Sequence, residues 1–95
     1  MNLVEVVGGK AAQRKYIESM AHFCIDTLMP RMDTLDITIK LSNLKDVMGY
    51  CLEADDKRTF EIEVDRKLPL RRLLETVAHE MVHAKQYARR ELHPV

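Results

Sequence analysis

The chain is predicted to fold as one α+β domain: an N-terminal helix, a three-stranded, mainly antiparallel sheet and a C-terminal helix. Three observations carry this. Residues 10–29 place apolar side chains at helical spacing. Segments 35–41, 47–54 and 59–65 read as strands, the first and third in strict period-two alternation, the mark of half-buried strands. Residues 69–92 then return to helical spacing, with no further Gly or Pro until Pro94. Each strand has one apolar face and each helix one apolar stripe. Packing both helices on one face of a small sheet buries all of them.

A length of 95 residues supports one domain, spanning 1–95, with a small core. Hydrophobic content of 46% and charged content of 32% exclude a disordered chain. Fifteen Lys and Arg balance fifteen Asp and Glu, so no general pull toward nucleic acid or anionic lipid follows. No apolar run is long enough to span a bilayer, and the start, Met1-Asn2-Leu3-Val4-Glu5, lacks the pattern of a secretory signal. An intracellular location without membrane partners is expected. Cys24 and Cys51 are far apart and read as buried free thiols.

Leu3, Val4, Val6 and Val7 make a brief strand or a packing arm, ended by Gly8-Gly9. From Lys10 a helix runs to about Met29, where Pro30 stops it. Tyr16, Ile17, Met20, Ala21, Cys24, Ile25 and Leu28 form its apolar stripe, and His22 is a half-buried polar residue unless this helix packs across a site. Leu35, Ile37, Ile39 and Leu41 face one way on the next strand; Asp36, Thr38 and Lys40 face the other. In 47–54, Met48, Tyr50, Leu52 and Ala54 share a face, and Gly49 marks a bulge or a close backbone approach. Phe60, Ile62 and Val64 point inward from the last strand, which pairs as a hairpin with the one before it. Pro69 suits the first turn of the final helix.

That helix holds Thr76-Val77-Ala78-His79-Glu80-Met81-Val82-His83-Ala84, and within it His-Glu-x-x-His. Residues four apart lie one turn above each other, so His79 and His83 can aim two imidazoles at one point. Zinc accepts imidazole nitrogen in a tetrahedral shell. Glu80, beside the first histidine, is placed to take a proton from an activated water. The alternative is an ordinary pair of surface histidines on a structural helix. The helical setting and the apolar face at Leu70, Leu73, Leu74, Val77, Met81 and Ala84 argue against it. The basic residues Arg71, Arg72, Lys85, Arg89 and Arg90 read as a solvated outer face, with a DNA-binding patch as the sharper alternative.

From Met48-Gly49-Tyr50-Cys51 through Phe60-Glu61-Ile62-Glu63-Val64 to the His-Glu-x-x-His run, the chain resembles the core of SprT-like and small gluzincin-type zinc metallopeptidases. The resemblance covers roughly the second half of the chain, and the motif is specific for chemistry more than for family. It implies a minimal zincin-like fold and a zinc-dependent peptidase acting on a protein or peptide. His79 and His83 would be ligands and Glu80 the general base. An edge strand near Gly49 and Tyr50 would hold the substrate extended. DNA association is implied as a secondary partner.

One departure stands out. These families take a third His or Glu ligand from downstream, and twelve residues follow His83. The metzincin spacing would need Gly at 86 and His at 89, where this chain has Gln86 and Arg89. On a continuing helix Glu91 is about 12 Å of rise away, and His93 reaches back only if the helix breaks early. A third ligand is left to His93, His22, a neighbouring molecule or a segment of the domain beyond this chain. A latent or inactive site with two histidines is the alternative, and with it an interaction module of the same fold.

Overall fold

Two alternating segments build the centre of the sheet. Ile37, Ile39 and Leu41 on one, and Phe60, Ile62 and Val64 on the other, are all buried. In the computed structural model, which describes residues 1–54 and 58–89, they belong to β2 (Asp36–Ser42) and β4 (Thr59–Asp65). The remaining elements are β1 (Leu3–Val7), α1 (Ala11–Leu28), β3 (Gly49–Glu53) and α2 (Leu70–Ala88).

The α+β class and the helix–strand order match the sequence expectation; the sheet differs from it. It has four strands in the order β1-β2-β4-β3, and it is mixed. β1 pairs parallel to β2, β2 pairs parallel to β4, and only β3–β4 is antiparallel. The fourth strand is the N-terminal segment. Asn2 pins it: its Nδ2 donates to Met32 O at 2.8 Å, and Leu35 N donates to its Oδ1 at 2.9 Å. The expected 47–54/59–65 hairpin is present, but β4 inserts between β2 and β3. That insertion makes β2–β4 parallel and leaves β3 on the edge.

The exit from β1 runs through Gly8 and Gly9, at φ +88° and +67°, a backbone region most side chains avoid. It turns the chain into α1. Both helices pack on the same sheet face: Ile17, Ala21, Cys24 and Ile25 of α1 and Leu73, Val77, Met81 and Ala84 of α2 join β2 and β4 in one core. α1 lies against β1, and α2 against β3 and β4. The opposite sheet face is open, with Lys40 and Glu61 paired across it at 2.8 Å. Cys24 is a buried free thiol, as expected, and Cys51 is free but only half-buried. No helix among the described residues is long and apolar enough to cross a membrane.

The edge strand β3 shows its apolar residues to solvent. Its register with β4 sets Cys51 opposite Ile62 and Gly49 opposite Val64, on the helix side. Tyr50 and Leu52 are therefore exposed. Met48, which precedes the strand, is exposed too, but its sulfur meets Arg72 of α2, so the shared face read from the sequence does not hold for it.

Candidate functional site

α2 begins at Leu70, just after Pro69, and ends at Ala88. Its buried stripe runs Leu73, Thr76, Val77, Glu80, Met81 and Ala84, the repeat of a helix packed along one side. His79 and His83 flank this stripe on the side toward β3. His79 is exposed and His83 half-buried. Their ring centroids are 5.0 Å apart and their planes stand at 85°.

That spacing suits a shared ion. An imidazole centroid lies about 1.1 Å from its nitrogens. Zinc at about 2.0–2.1 Å from one nitrogen of each ring, in a tetrahedral shell, separates two centroids by about 5 Å. The rings thus fit a zinc ion in donor type and in spacing. Gln86, one turn on, holds the second ring: His83 Nδ1 and Gln86 Oε1 are 3.2 Å apart. With its proton on Nδ1 the imidazole donates to Gln86 and keeps the Nε2 lone pair for a cation, the usual way a ligating histidine is oriented. Among the described residues no group of three or more His, Cys, Asp and Glu gathers around one point. The two imidazoles would supply half of a tetrahedral set. His22, half-buried on α1, lines neither cleft beside them. Glu91 and His93 lie outside the described residues.

Glu80 is 6% exposed. Its carboxylate has no hydrogen-bond partner among the described residues, yet no buried side-chain oxygen is left sealed without one. The oxygens therefore open on the cleft, where water reaches them. The carboxylate thus shares its cleft with the two imidazoles and is within reach of water.

Two open clefts meet at this point and share Gly49, His79 and Glu80. One adds Tyr50, Cys51, His83 and Tyr87; the other adds Met48, Arg72, Glu75 and Thr76. They lie in succession along α2, beside the edge strand. Gly49 makes the approach of helix to strand close. A Cβ there would meet Glu63 O and Thr76 Cγ2, each at 2.9 Å. Of the two readings of Gly49, the close approach is the one present. Tyr87 stacks on Phe60 with centroids 6.5 Å apart, which fixes the far wall. Cys51 faces Glu80 from β3. Burial first, then the charges of Glu80 and Glu53, push its thiol up to about 12.

Sequence reasoning named His79, Glu80 and His83, and the structure brings all three to one cleft. It passed over Cys51, Gln86, Tyr87 and Arg72 as site residues. Gln86 and Tyr87 sit three and four positions after His83, and Arg72 seven before His79, so helical spacing alone could have found them. Cys51 needed the phase of β3, which only the pairing with β4 sets. No family model, curated protein or solved structure matches the chain, so the site is read on its own geometry.

Proposed function

We propose that this domain is a zinc-dependent peptidase, with His79 and His83 as ligands and Glu80 as general base. The observation that supports it most is the pair of imidazoles 5.0 Å apart with a nearly buried carboxylate, unpartnered among the described residues, in the same cleft beside an edge strand. A zinc ion held by the two histidines supplies Lewis acidity toward a peptide carbonyl and toward water. The chain's own residues do the rest. Gln86 holds the His83 ring by its Nδ1 proton. A Glu80 carboxylate oxygen accepts a proton from the attacking water and later returns it to the leaving amine nitrogen. β3 offers its unpaired edge, where main-chain N–H and C=O groups can align an extended substrate. The apolar Tyr87–Phe60 wall limits water on one side.

A second reading is favoured by the two-donor set among the described residues. There the same groove holds metal and peptide without turnover, as an interaction module. One experiment separates the readings. The wild-type chain with zinc should cleave an unstructured protein, and Glu80→Gln should slow cleavage by about 10²–10⁴-fold, the usual share of a positioned base, with no fall in melting temperature. Equal rates for the two proteins would end the peptidase reading. Zinc and peptide binding with no cleavage by the wild type would establish the module.

A further inference from the structure

One of the two clefts that Glu80 lines runs on to Arg72, a charge that takes no part in the proton chemistry assigned to Glu80. Arg72 Nη2 donates to Met48 Sδ at 3.2 Å. A thioether is a weak acceptor, and four other guanidinium donors are left over. The nearest acid on the helix, Glu75, is paired with Arg71 at 3.5 Å. The Thr76 hydroxyl is spent on Arg72 O at 2.7 Å. Arg72 itself makes no ion pair among the described residues. Arg72 therefore presents a planar cation with no ion pair among the described residues, held at one edge by Met48, in a cleft that the Glu75 and Glu80 carboxylates also line.

Its distance from the histidines is set by the helix. Arg72 precedes His79 by seven residues, two turns, or about 10 Å of rise. An extended peptide advances about 3.3 Å per residue. A peptide lying beside β3 with its reacting bond at His79 thus passes Arg72 about three residues away. Arg72 stands on α2, off the strand line, so the carboxylate that reaches it must come from a side chain and not from the main-chain terminus. A guanidinium fork binds such a group through two parallel N–H donors.

We propose that Arg72 is a specificity-determining residue: it forms a subsite for an Asp or Glu side chain on an extended peptide, about three residues from the bond to be cut. The inference rests on the peptidase reading, and it names the substrate class for that site. A neutral peptide gives up the contact, and a lysine at the same position meets like charge.

The test reads binding, not turnover. Decapeptides with acetylated and amidated ends, otherwise of Ser, Ala and Gln, carry one Glu moved through each position. Their fluorescence anisotropy is followed on the Glu80→Gln chain, with and without added zinc. One position should favour Glu over Gln by about three- to fivefold, the gain an exposed ion pair supplies. Arg72→Gln should erase that preference, Arg72→Lys should keep part of it, and Arg71→Gln should leave it intact. Arg72→Glu should turn it toward Lys. A Glu preference that survives Arg72→Gln, follows Arg71 or spreads over every position overturns the subsite, while the peptidase reading stands. Peptides that fail to bind at all overturn the subsite too. If zinc also fails to bind, the peptidase reading falls with it.

Discussion

α1 and α2 are nearly equal, at 18 and 19 residues, and they pack on the same sheet face. They differ in what they bury. The buried positions of α1 are Ile17, Ala21, Cys24 and Ile25. Those of α2 include Thr76 and Glu80, the two buried polar or charged residues among the described ones. A helix shaped for stability alone would not place a carboxylate in the middle of its apolar stripe, because taking a charge out of water is costly. Both helices are built by the same spacing of apolar residues. The site is where one of those helices departs from what packing asks.

The two helices lie over opposite edges of the sheet, α1 against β1 and α2 against β3. What sets the β3 edge apart is Gly49, which lets the helix approach, and the clefts that His79, Glu80 and His83 line beside it. An interruption in the stripe of α2 opens on a groove. The same interruption at Ile25 would meet the closed core.

The comparison can be broken by substitutions of graded effect. Ile25→Ala should cost the most stability, about 2–5 kcal/mol by loss of packing, measured by denaturant unfolding. It should leave the zinc affinity of the folded chain unchanged. A drop in that affinity would mean that α1 is more than a support. Gly49→Ala should cost less, about 1–3 kcal/mol for overpacking, but it should weaken zinc binding as well. The added methyl presses on the Glu63 carbonyl and on Thr76, three residues before His79. Unchanged metal affinity would show that the helix–strand approach does not set the site.

The smallest effect concerns Cys51. A thiol pushed up to about 12, by burial first and by Glu80 and Glu53 after it, stays protonated at neutral and mildly alkaline pH. At pH 8 the thiolate fraction is on the order of 10⁻⁴. Iodoacetamide should therefore label Cys51 of the metal-free folded chain far more slowly than an unfolded control. Glu80→Gln removes one of the charges that hold the thiol protonated, so labelling should quicken. Equal rates in both variants would place Cys51 away from the carboxylate.

The histidine motif and the helices were legible because their signals are local. His79, Glu80 and His83 need only one helical turn to converge, and the stripe through Leu73, Val77, Met81 and Ala84 is plain in the letters. The half-buried strands at 35–41 and 59–65 were legible for the same reason. What escaped was non-local. Leu3 to Val7 have strand character, but their parallel pairing with β2 depends on α1 folding back and on Asn2 reaching Met32 and Leu35. The face of β3 that meets the helices follows from its register with Val64 and Ile62, not from its own hydrophobicity. For that reason Cys51 was overlooked, while Met48 and Leu52, which show, had the stronger pattern. In the sequence Arg72 reads as one more solvated charge, because its contact with Met48 depends on how α2 packs beside β3.

The account stands on two rings of one helix sharing an ion, and zinc titration of the metal-free chain by calorimetry tests this most directly. It predicts one zinc per chain, held by wild type and by Glu80→Gln, and lost when His79 or His83 is changed to Ala. Zinc bound with undiminished affinity by the chain lacking both imidazoles, or no zinc bound by the wild type, would contradict it.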